Sequence, residues 1–154
     1  MTWNAFRTRG EILRDVTVVA DARPDGTLPW DVDGVARVFA DELDLVGALQ
    51  LRWHTRLAGR IERELMHQPL DLERGVITAW RATAHELPGT RAVLDRHCDQ
   101  PLDRDMAEAL SAATTKEHEL LAVMAGRASL GDPRAARAGA EIEARARAHV
   151  VLAA

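Results

Sequence analysis

Three polar residues of this sequence fall where apolar ones are expected. Counted at 100° per residue, Gln50 and His54 project from the apolar stripe of one amphipathic segment, and Glu117 sits mid-stripe in another, between Ala113 and Leu120. Polar groups at such positions cost free energy unless they are paired. If the two segments are neighbouring antiparallel-bundle helices, His54 lies ~33 Å along the first and Glu117 reaches the same level. An imidazole, a carboxylate and, one turn away, a carboxamide would then share a layer. Such a layer serves one of two ends: a hydrogen-bonded device that fixes helix register, or a small-molecule or metal site.

The metal reading lacks ligands. A di-iron bundle wants a Glu-x-x-His pair on each of two helices. Glu64 and His67 have that spacing at a helix end, and the chain holds no second pair. No His-x-x-x-His pair occurs either, so the metal is unknown and no cofactor is expected. Nucleophilic chemistry is no better served. Cys98 adjoins His97, but neighbouring helical residues diverge by ~100°, so the two form no preset dyad, and the thiol reads as a small apolar filler. No glycine-rich phosphate loop is present.

A second pattern is electrostatic. Arg52, Arg56, Arg60 and Arg63 recur at helical spacing, with only Glu64 placed to compensate one of them within its own helix. Asp103, Asp105 and Glu108 on a neighbouring helix are candidate partners. Otherwise the ridge faces an acidic protein or a second copy of the chain. Nucleic acid fits least: the net charge is −4 and no lysine is interleaved with the arginines.

The elements that must position these residues are all helical. Residues 30–68 carry Val32, Val35, Phe39, Leu43, Val46, Leu49, Trp53, Leu57, Ile61 and Leu65 at steps of three or four, which predicts one helix of roughly 50 Å over residues 32–67, N-capped by Asp31 with Trp30 and Val35 as a hydrophobic staple. A first helix is expected over residues 3–22, with Trp3, Phe6, Gly10, Leu13, Val16 and Ala20 inward. The third, over 72–97, is expected to kink at Pro88 and to keep its phase through Leu94 and Cys98. A fourth follows Asp103, and a fifth runs over 133–151.

Composition agrees. The chain has 154 residues, no tyrosine, two phenylalanines and four tryptophans, the palette of a Leu/Val/Ala helical core. One cysteine excludes an intrachain disulfide, and Arg7, Arg9 and Arg14 interrupt any leader-like apolar run. The expectation is therefore an all-α, antiparallel up-and-down bundle of about five helices built on one long helix (residues 32–67). It would be a single domain over 1–154, off the membrane and cytoplasmic. Function is expected to be non-enzymatic: protein–protein interaction or self-association, with a homodimer or an acidic protein as partner. The alternative is a ligand-binding bundle centred on His54, Glu117 and Gln50.

Overall fold

The structure, a computed structural model, describes residues 7–152, with side chains through residue 148. Trp3, Phe6 and Val150 lie outside the described side chains. The fold is all-α, with seven helices and no strand among the described residues. The chain divides into two compact units: residues 1–53 with 87–108, and residues 54–86 with 109–154.

In the first unit, Thr8 opens α1 (Arg9–Asp21) with a capping box: its hydroxyl accepts from the Glu11 amide, and the Glu11 carboxylate accepts from the Thr8 amide. Ile12, Val16 and Ala20 are buried, while Gly10 is exposed with only the Thr8 hydroxyl near it, so Gly10 does not take the inward place expected of it.

Residues 32–67 are not one helix. A four-residue α2 (Val35–Val38) ends at Phe39, whose backbone is extended at φ −110°, and α3 (Glu42–His67) starts afresh. The cause is local hydrogen-bond chemistry that apolar spacing does not register. The Asp41 carboxylate accepts from the Asp44 amide at 2.8 Å, and the Asp44 carboxylate reaches back to the Ala40 amide at 3.0 Å. Together they satisfy donors at a new helix start. Arg9 fixes the break by forking onto Asp44 at 3.0 and 3.1 Å and lying 4.4 Å from the centroid of the buried Phe39 ring. Asp31 caps nothing here: it pairs with Arg23 at 2.8 Å, which holds its carboxyl down at about 2.

The helix expected over 72–97 ends rather than kinks. α4 (Leu72–Glu86) stops, Leu87 turns to φ −122° and ψ 57°, and Pro88 is the first residue of α5 (Pro88–Asp99). A residue before proline is pushed out of the α region, and proline at the first helical position sacrifices an amide that has no partner anyway. The next amide, of Gly89, donates to Asp21 at 2.8 Å. A Cβ on Gly89 would lie 2.2 Å from the backbone at Ala20 and Asp21, so the missing side chain is what lets the end of α1 seat on α5. The restart also shifts the phase. Thr90, Val93, Leu94 and His97 are buried and Cys98 is exposed, the reverse of the expected order for the last two. The His97 ring lies 2.7 Å from the Val93 carbonyl; an oxygen there can only accept, so Nδ1 carries the proton.

In the second unit, Asp71 caps α4 through the Arg74 amide at 3.1 Å. Beyond the first unit's boundary at residue 108, α6 (Arg104–Met124) continues, followed by α7 (Ala135–Leu152). Leu57, Ile61, Val76, Trp80, Leu121 and Ile142 are at most 2 % exposed. Each such side chain contributes about 1.5–3 kcal/mol of burial free energy. α7 is alanine-rich and lies close to its neighbours. A Cβ on Gly139 would fall 1.7 Å from the His118 carbonyl oxygen, and Arg81 of α4 donates to the carbonyls of Arg145 and Ala146 at 3.1 Å.

Candidate functional site

Within the second unit, α3 buries Leu57 and Ile61 and turns a side carrying Arg56, Arg60 and Arg63 away from that stripe. Arg56 and Arg63 are exposed and Arg60 is half-buried. Glu86, in the last turn of α4, closes on two of them: Oε1 lies 3.5 Å from Arg56 and Oε2 lies 2.5 Å from Arg60. Among the described residues no other carboxylate pairs with this row. Arg63 has no hydrogen-bond or ion-pair partner there, and the buried Nε of Arg60 has no hydrogen-bond acceptor. Two guanidinium groups thus share one carboxylate, and the third, that of Arg63, has none among the described residues. Arg52, on the same helix but in the first unit, is half-buried, and its Nε also lacks an acceptor.

Of the partners expected from sequence, Asp105 makes no ion pair among the described residues, and the other two are engaged within their own helix start. Asp103 caps α6 by accepting from the Met106 amide at 2.8 Å, and Glu108 pairs with Arg104 at 2.9 Å. Glu64, at helical spacing from Arg60, makes no ion pair among the described residues. Apolar periodicity cannot find Glu86. Its position could have: a carboxylate in the last turn faces the negative end of its own helix and needs a cation from elsewhere.

The polar layer is distributed as follows. Glu117 is 4 % exposed in α6 and engaged with its surroundings. His54 is half-buried on α3, and among the described residues no hydrogen bond joins it to Glu117. Gln50, also half-buried, belongs to the first unit. No three His, Cys, Asp or Glu residues among those described could together hold a metal ion, and His67 is exposed at the end of α3.

A histidine–carboxylate contact does form elsewhere in the second unit. The Nε2 of His118 in α6 hydrogen-bonds the Glu143 carboxylate of α7. Arg147 donates to the other oxygen at 2.7 Å while lying 4.8 Å from the Trp80 ring centroid. Burial pushes the Glu143 carboxyl up, but the His118 and Arg147 hydrogen bonds outweigh it and hold it at about 2. The contact follows from Gly139, which brings α7 against α6 one turn earlier. No third His, Cys, Asp or Glu joins the pair to hold a metal ion among the described residues, and the pair links α6 to α7 as a clamp. Comparison with protein-family models, with curated proteins and with solved structures finds no match to this chain.

Proposed function

We propose that the chain works by binding a protein and not by catalysis, using the arginine row of α3 as its docking surface. The observation that carries this reading is the imbalance at Arg56, Arg60 and Arg63: among the described residues the first two share the carboxylate of Glu86 and Arg63 pairs with none. Guanidinium groups present forked donors that match carboxylate geometry, so an acidic segment of a protein partner, or of a second copy of the chain in a homodimer, is the complementary surface. A reducing, cytoplasmic setting accords with the single cysteine. No helix among the described residues is long and apolar enough to cross a membrane.

Charge reversal tests the reading. Arg56→Glu with Arg60→Glu is expected to change the association state in sedimentation, or to abolish recovery of a partner that the unmodified protein retains, with helix content unchanged. An unaltered association state together with unaltered partner recovery would remove its basis.

A further inference from the structure

We infer that Glu86 is an internal competitor for the arginine row, occupying the place that an acidic segment of the partner takes on binding; this rests on the reading of the row as a docking surface. Glu86 divides its oxygens between Arg56 and Arg60, the arrangement an incoming carboxylate would adopt. Three features make it displaceable. Its side chain is 35 % exposed, so it can exchange its arginine contacts for water. It lies in the last turn of α4, where the helix dipole opposes a negative charge, and among the described residues its ion pairs are those with the two arginines. The chain leaves the helix immediately afterwards, at Leu87, so releasing the Glu86 side chain breaks no continuing helical turn.

The row is therefore partly neutralised until a better acid arrives. A single exposed carboxylate holding two guanidinium groups is weakly bound, whereas a run of several carboxylates also reaches Arg63 and gains from multiple contacts. The consequence is an affinity lower than the arginines alone would give, and a selectivity against isolated acidic side chains, which compete with Glu86 one for one.

The test measures anisotropy of a fluorescein-labelled oligoglutamate peptide against the unmodified chain, Glu86→Gln and Glu62→Gln. Glu62 is exposed on α3 and has no partner among the described residues, so its neutralisation changes the net charge equally without vacating the row. The expected result is about three- to tenfold tighter binding for Glu86→Gln, with less than about twofold change for Glu62→Gln. Glu86→Ala should behave as Glu86→Gln does, which separates loss of the carboxylate from any new amide contact. Equal gains for the Glu86 and Glu62 variants, or none for either Glu86 variant, would overturn the competitor while leaving the row as a docking surface. No binding by any variant, or binding undiminished by Arg56→Glu with Arg60→Glu, would overturn both. Tighter binding of a labelled single-stranded oligonucleotide than of the peptide would overturn the assignment of an acidic protein segment.

Discussion

The carboxylate of Asp21, at the last residue of α1, accepts a 2.8 Å hydrogen bond from the amide of Gly89, the second residue of α5. One side chain thereby satisfies a donor that a helix start leaves open and holds two helices whose backbones are nearly in contact. Asp21→Ala is expected to destabilise the protein by about 1 kcal/mol, read as a lower urea midpoint with unchanged slope. A midpoint within error of the unmodified protein would show that water replaces the carboxylate without cost.

Gly139 makes a sharper demand. The atom that an added Cβ would strike is the His118 carbonyl oxygen at 1.7 Å, which is backbone and cannot rotate aside. Gly139→Ala should therefore cost about 3 kcal/mol or more. Gly47, in α3, has nothing within 4 Å of its Cβ position, so Gly47→Ala should stabilise by about 0.5–1 kcal/mol. Thermal unfolding of the two variants side by side checks both signs.

The Glu143 carboxyl, held at about 2 against an ordinary value of 4.5, links stability to pH. A depressed folded value means stability that is fully present above about 4.5 and is lost as pH falls toward 2. The contribution is on the order of 2–3 kcal/mol. Glu143→Gln should be less stable at neutral pH and should lose less on acidification than the unmodified protein. Parallel acid profiles for the two proteins would contradict the clamp.

Glu117, buried in the middle of α6, separates the structural from the ligand-binding view of the polar layer. Glu117→Ala leaves any polar partner unsatisfied and should cost about 1–3 kcal/mol. If instead the variant folds with undiminished stability while a bound small molecule is lost, the residue serves a ligand.

Much of this fold is legible in the sequence because it rests on local chemistry. Asp71 and Asp103 cap helices where the repeated Pro-Leu-Asp connectors placed them, and the starts and stops of α6 and α7 follow from adjacent proline, glycine and aspartate. The failures come from carrying apolar periodicity across a local break. Val35, Phe39, Leu43 and Val46 keep helical spacing through residues 39–41, yet the Asp41 and Asp44 carboxylates supply a fresh helix start there, a pattern written in the sequence as Asp-Glu-Leu-Asp. At the end of α5, Leu94 can be continued by His97 or Cys98 with equal regularity, and apolar character favours the wrong one. The arginine row is readable as a row. Its carboxylate partner among the described residues, Glu86, is not, because a contact spanning 26 residues between two helices leaves no periodic trace.

We propose that Arg56, Arg60 and Arg63 form a docking surface for an acidic protein segment. It is tested most directly by titrating labelled oligoglutamate into the unmodified protein and into Arg56→Glu/Arg60→Glu across a range of salt concentrations. Binding is expected to weaken as salt rises and to fall at least about tenfold on charge reversal, with helix content preserved. Binding equally tight in both proteins, or absent from both at low salt, would contradict it.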